Sequence, residues 1–182
     1  MKFSIETTMS IPLQPILEND SVLVEPLTSE DVDSLYCIAS DPAIWAQHPN
    51  KDRYKREVFE QFFQGAIESK GAFKIINKQL GKLVGSTRFY DYDPMGKSIC
   101  IGYTFYATNV WGTGFNIKVK QLMLEYIFQY VEKVYFHVGV ENFRSQKAVE
   151  RLGAVKVEEK NVAYYNEPPK LNYIYQILRP KL

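Results

Sequence analysis

One stretch of this 182-residue chain, from Ile99 to Val131, restricts the possible folds more than any other. Ile99, Ile101, Tyr103 and Phe105 alternate with Cys100, Gly102, Thr104 and Tyr106, the period of a strand. A loop follows, Trp111-Gly112-Thr113-Gly114-Phe115-Asn116, and then a helix with Val119, Leu122, Met123, Tyr126, Ile127 and Tyr130 on one face. Gly112 and Gly114 let the backbone take conformations closed to other residues and approach a ligand closely. Asn116 is a favoured residue for capping the helix start. Free N–H groups at such a start, reinforced by the helix dipole, attract anions. Strand, glycine loop and helix together suggest a phosphate or pyrophosphate cradle, although Gly-x-Gly before a helix is also a common tight turn. The loop lacks the Gly-Lys-Ser/Thr ending of a P-loop, and the third glycine of a dinucleotide fingerprint would fall at Ile117.

The rest of the chain reads as one domain around this unit. Met1 to Asp20, broken by Pro12 and Pro15, reads as an extended lead-in. A short strand at Val22–Val24 ends at Pro26. Thr28 and Asp31 resemble a capping box before a helix that buries Val32, Leu35, Tyr36 and Ala39 and stops at Asp41-Pro42. Ile44 to Asn50 reads as loop. A second helix from about Asp52 carries Val58, Phe59, Phe62, Phe63, Ala66 and Ile67, with Gly71 as its C-terminal cap. Ala72–Asn77 and Lys82–Tyr90 form a hairpin, and Asp93-Pro94-Met95-Gly96 turns the chain into the Ile99 strand. Val134–Val140 is a strand, Arg144–Leu152 a short helix stopped by Gly153, and Ala154–Tyr164 and Leu171–Leu178 the final strands. The order is β-α-α-β-β-β-α-β-α-β-β. The helix between the Ile99 and Val134 strands makes that pair parallel, whereas the hairpins are antiparallel.

Composition excludes several classes of function. Lys+Arg 22 against Asp+Glu 21 gives a net charge of +1, so no overall field draws the chain to nucleic acid or an anionic membrane. No apolar run reaches the roughly 18–20 residues of a membrane span, and Glu6, Thr7 and Thr8 interrupt any signal-peptide core. Cys37 and Cys100 read as small buried apolar residues rather than a disulfide framework, and a reduced cytoplasm is the default. Two histidines and two cysteines without close pairing do not make a zinc site, so no metal is expected.

Two motifs carry a resemblance to a family. Ile101-Gly102-Tyr103 through Trp111–Asn116, then Glu141-Asn142-Phe143-Arg144-Ser145-Gln146 and Arg151-Leu152-Gly153-Ala154, resemble the GNAT acetyltransferases. The similarity is greatest to the branch that includes the ribosomal-protein N-terminal acetyltransferases, and it spans roughly residues 22 to 178. It implies an α/β fold with a mostly antiparallel twisted sheet, one splayed parallel strand pair and about four flanking helices. It also implies that acetyl-CoA lies between the strands that part beyond Tyr103-Thr104-Phe105. Trp111, Gly112, Thr113, Gly114, Phe115 and Asn116 would hold its pyrophosphate, with Asn142 and Ser145 close by. Trp111 stands where the family has Gln or Arg, and Asn116 where a small residue is usual. Lys118 and Lys120 either meet cofactor phosphates or lie on a solvated face.

The implied reaction is direct attack of a primary amine, on a protein N-terminus or a small molecule, on the thioester. A backbone N–H would steady the developing oxyanion. Some family members use a tyrosine as the acid for the departing thiolate, but Val149 holds that position here. Ser145 is the substitute, and it also fits a role at the helix start. His48, His137 and Glu141 are the candidate bases, with a water chain as the alternative. Tyr90, Tyr92, Tyr103, Tyr164 and Tyr165 would line an acceptor pocket or pack between strands. A homodimer is the family's prior. A CoA-binding module without catalysis is the competing reading, which the missing tyrosine permits.

Overall fold

The alternating apolar runs assemble into a single sheet in the computed structural model, which describes residues 11–181. Its strands are β1 (Leu17–Glu18), β2 (Val22–Pro26), β3 (Ala72–Asn77), β4 (Lys82–Asp93), β5 (Ser98–Tyr106), β6 (Lys133–Gly139), β7 (Val155–Val162) and β8 (Lys170–Leu178). Their spatial order is β1-β2-β3-β4-β5-β6-β8-β7. Every neighbouring pair is antiparallel except β5–β6. The helices are α1 (Val32–Ala39), α2 (Pro42–Trp45), α3 (Arg56–Glu68), α4 (Phe115–Ile127) and α5 (Phe143–Glu150).

Two apolar clusters follow from the helix periodicities. Phe115, Val119, Met123 and Ile127 of α4 and Val149 of α5 pack with Phe73, Phe89, Ile99, Ile101 and Val134 of the sheet. Leu35, Trp45, Phe59, Phe62 and Phe63 from α1, α2 and α3 form the second cluster with Ala72 and Phe105. Each fully buried side chain of this size contributes about 1.5–3 kcal/mol. Phe105 belongs to the second cluster and its neighbour Thr104 faces α4, so the far half of β5 is held from both sides.

Several local expectations change. The lead-in lies outside the described residues as far as Ser10; within its remainder, Leu17–Glu18 pairs with β2 as a strand. Asp41-Pro42 ends α1 and also starts α2. Proline suits the first helical position, where no N–H is needed, and the Asp41 carboxylate accepts the Ala43 N–H at 2.9 Å. That adds a fifth helix in a stretch read as loop. Gly71 does not cap α3. Ser69 does, and Gly71 is small because a Cβ there would run into the Phe89 carbonyl oxygen. Asn116 does not cap α4. Gly114 holds that place at φ +78°, and Asn116 already lies in the first turn.

The strand pair at the centre parts early. The parallel register runs only through Ser98–Lys133, Ile99–Val134 and Cys100–Tyr135. Beyond it, β6 stays with β8 as far as the pair Gly139–Asn172, while β5 stays with β4. Between the pairs Arg88–Gly102 and Ser86–Phe105, two residues, Tyr103 and Thr104, stand opposite Thr87 alone. That extra residue is a β-bulge, and bulges bend a strand and re-aim its groups. Tyr103 there takes φ +52°, a left-handed backbone unusual for an aromatic residue. The bulge carries the end of β5 away from β6, and the gap it leaves is the site.

Candidate active site

A cavity of about 270 Å³ fills the gap between β5 and β6. Its walls bring together nearly all of the residues singled out above: His48, Tyr103, Thr104, Phe105, Trp111, Gly112, Gly114, Phe115, Asn116, His137, Asn142 and Ser145. Glu141 and Thr113 are not on its wall; both are exposed. Thr113 instead fastens the loop, its hydroxyl donating to the Val110 carbonyl at 2.8 Å.

At one end the glycine loop presents bare donors. The N–H groups of Gly112, Thr113, Gly114 and Asn116 have no hydrogen-bond partner among the described residues. Gly112 (φ +75°) and Gly114 (φ +78°) are both left-handed, with nothing within 4 Å of where a Cβ would stand. It is backbone conformation, not crowding, that requires glycine there, and the open space is what an approaching phosphate needs. Along the gap, the β5 backbone beyond Cys100 has no ladder partner on β6, leaving amide groups for an extended ligand arm. Residues in this arrangement fit a CoA molecule: the loop would hold its diphosphate and the open β5 edge its pantetheine amides.

Trp111 has a use of its own. The Arg144 guanidinium lies 3.9 Å over its ring and donates to the Ile44 carbonyl at 2.8 Å. A flat aromatic in the loop's first position thus ties loop, α5 and α2 together, a contact worth up to about 2 kcal/mol when desolvated. At α5, Asn142 caps the helix, its Oδ1 accepting the Ser145 N–H at 3.2 Å. Ser145 Oγ has no partner among the described residues and faces the cavity.

The two histidines differ. Arg53 Nη1 donates to His48 Nε2 at 3.1 Å, while Nδ1 lies against the Asn50 backbone, 2.9 Å from its nitrogen and 3.1 Å from its carbonyl oxygen. Burial and the adjacent Arg53 charge push its pKa well below the usual range, so it stays neutral and its acceptor nitrogen is occupied. His137 is also held neutral at pH 7, mainly by burial. Its Nε2 lies 3.6 Å from Cys100 Sγ, and its Nδ1 is buried without a partner. With the ring proton on Nε2, Nδ1 is an unpartnered acceptor covered by its surroundings, while the ring lines the cavity.

Three cations of the cavity, Arg53, Arg144 and Arg151, were not singled out from sequence, and Lys120, expected to meet phosphates or to lie on a solvated face, is buried in the cavity wall. Arg53 is buried and bonded to Glu167 of the β7–β8 loop through Nε (3.2 Å) and Nη2 (2.6 Å). Arg144 and Arg151 stand on the α5 side. Lys120 is 4% exposed and donates to the hydroxyls of Thr87 (2.8 Å) and Thr104 (2.7 Å). Burial lowers its pKa to about 7. A signal for Lys120 existed: it lies three, four and seven residues before Met123, Leu124 and Ile127, on the apolar stripe of α4.

A parted parallel strand pair beside a glycine loop defines a CoA-dependent acyltransferase architecture, and comparison with known proteins specifies it. The family model of the acetyltransferase (GNAT) domain matches residues 21–155, and the chain belongs to that family. It is an acetyltransferase that uses acetyl-CoA. No curated protein matches the sequence. Among solved structures, a GCN5-related N-acetyltransferase from Brucella melitensis superposes with a TM-score of 0.77 at 21% identity, covering 91% of this chain and 79% of that one. Spermidine N-acetyltransferase from Vibrio cholerae, solved with CoA and spermine, superposes at 0.67 and 19% identity, covering 88% and 96%. A Vibrio cholerae structure assigned to the ribosomal-protein-serine acetyltransferases gives 0.75 at 14% identity, covering 93% and 100%. At these identities the likeness establishes the fold. Among the described residues, no helix is long and apolar enough to cross a membrane and no cluster of His, Cys, Asp and Glu is placed to hold a metal.

Proposed function

We propose that the protein transfers the acetyl group to a primary amine by direct attack in the strand gap. The observation that carries this reading is the bulge at Tyr103–Thr104. It opens a cavity with bare amides along one wall and a phosphate cradle at one end. Acetyl-CoA, when bound, supplies a thioester carbonyl whose C–S bond breaks as the C–N bond to the amine forms. The free β5 backbone beside Tyr103 supports the oxygen as it gains negative charge.

The amine must lose a proton before it attacks, because its pKa lies near or above about 8. His137, neutral and on the cavity wall, is the base this geometry favours, directly or through water. Glu141 faces solvent, and His48 already accepts from Arg53. Ser145 Oγ stands at the start of α5, where it can hand a proton to the departing sulfur. That role replaces the family's tyrosine, whose place buried Val149 holds.

Ser145→Ala is expected to lower kcat about tenfold, since water can substitute for a lost hydroxyl, with the acetyl-CoA Kd unchanged. Steady-state rates and equilibrium titration separate the two; equal losses in both would assign Ser145 to the helix start alone. Release of free thiol in the presence of a panel of primary amines tests the transfer itself. Saturable CoA binding without thiol release for any amine would favour a non-catalytic CoA-binding module.

A further inference from the structure

We propose that Arg88 anchors a carboxylate of the acceptor, so that the amine acetylated here belongs to a molecule that also carries a negative charge. The inference rests on the reading of the acceptor as an amine and deepens it.

Arg88 lies in the middle of β4 and is 4% exposed. Its Nη1 donates to the Gly65 carbonyl at 3.0 Å, but its Nε is buried with no partner. Among the described residues it makes no ion pair. Its Cζ sits 4.0 Å over the Tyr103 ring and 5.8 Å from the centre of the Phe62 ring. Arg53 lies 4.5 Å over that same Phe62 ring. Two buried guanidiniums therefore flank one phenyl group, and the carboxylate bonded there, Glu167, is taken by Arg53. Burial lowers the Arg88 pKa only to about 10, so it remains charged at neutral pH. A buried charge without a counter-charge is costly, and a planar guanidinium fork fits a carboxylate through two parallel hydrogen bonds.

The surroundings give a ligand access. Arg88 lines an open groove of about 350 Å³ whose inner wall is Tyr90 and Tyr103, and the same two tyrosines line the cofactor cavity from the other side. Glu68 and Asp91 stand at this groove without pairing to Arg88. Glu68 is engaged by Gln64 Nε2 at 2.8 Å and the Tyr165 hydroxyl at 2.9 Å. A second observation points the same way. The main cavity has Arg53, Lys120, Arg144 and Arg151 on its wall and no aspartate or glutamate among its lining residues. A polyamine would find no counter-charge there, whereas an amine with a carboxylate finds one at Arg88.

The test uses two probes of one chain length and opposite charge, glutarate and 1,5-diaminopentane, added to the CoA-saturated protein labelled with 15N at arginine. The Arg88 Nε–H signal, identified by its loss in Arg88→Lys, is expected to shift and saturate with glutarate and to ignore the diamine. Arg88→Met should abolish that glutarate binding, read by competition or calorimetry, with CoA affinity unchanged. In turnover, L-amino acids should exceed their carboxamides in kcat/KM by about tenfold or more, one charge-assisted contact, and Arg88→Met should erase the preference. An Arg88 signal that glutarate leaves unmoved at tens of millimolar, or that the diamine shifts equally, overturns the proposal. Glutarate saturation at Arg88 together with no turnover of any amine would overturn the transfer reading and leave the anion site standing.

Discussion

Gly114→Val is expected to raise the acetyl-CoA Kd by about a hundredfold or more while the protein stays folded. Gly114 caps α4 at φ +78°, a conformation a β-branched residue adopts only at a cost of about 1–3 kcal/mol. The surface loop can relieve that strain by rotating its peptides, because nothing packs within 4 Å of the position. Rotation turns the N–H groups of Gly112, Thr113, Gly114 and Asn116 off their common target. Hydrogen bonds to a charged group are worth about 1.5–3 kcal/mol each, so two misdirected donors already account for the hundredfold. Trp111, on the same loop, supplies a fluorescence readout for the titration, and circular dichroism checks the fold. Affinity retained in the variant would mean that the cradle is only a turn.

Lys120→Met is expected to make the protein more stable than the parent at pH 7, with the gap closing as pH rises. The buried Lys120 ammonium has two threonine hydroxyls for company and no carboxylate among its hydrogen-bond partners. Its pKa is about 7 in the folded state, against about 10.4 for a lysine in the unfolded chain. Below pH 7 both states hold the proton and the full cost of burial is felt. Between pH 7 and about 10 the folded protein releases the proton while the unfolded chain keeps it, so the parent's stability rises with pH, by up to about 1.4 kcal/mol per unit. The difference between parent and variant should therefore shrink by about 2 to 3 kcal/mol from pH 7 to pH 9. Thr87 and Thr104, 2.8 Å apart, keep each other's hydroxyls satisfied in the variant. Urea unfolding of both proteins at the two pH values reads this out; parallel pH dependence would place the ammonium in water rather than in the wall.

What could be read from the sequence was whatever is local in the chain. The unit β5–loop–α4 is contiguous, and its alternation, glycines and apolar stripe are each short-range signals. The same holds for Asn142 and Ser145, three residues apart at one helix start. Short-range rules also misled where two applied at once. Asn116 is a good cap, but Gly114 reaches the left-handed turn first, and Asp41-Pro42 serves as both a stop and a start. The charged side of the site was hidden for a different reason. Arg53 and Glu167 are 114 positions apart, and the Arg88 surroundings come from β4, β5, α3 and the β7–β8 loop. No periodicity announces such a meeting. Lys120 was legible in principle, since its place on the apolar stripe outweighs its charge once threonines are there to receive it.

The most direct test of the account is a crystal structure of the protein with CoA. The diphosphate is predicted to lie on the backbone N–H groups between Gly112 and Asn116, with the pantetheine arm between β5 and β6 beside Tyr103–Phe105. A diphosphate held elsewhere, or a pantetheine arm outside the strand gap, would contradict it.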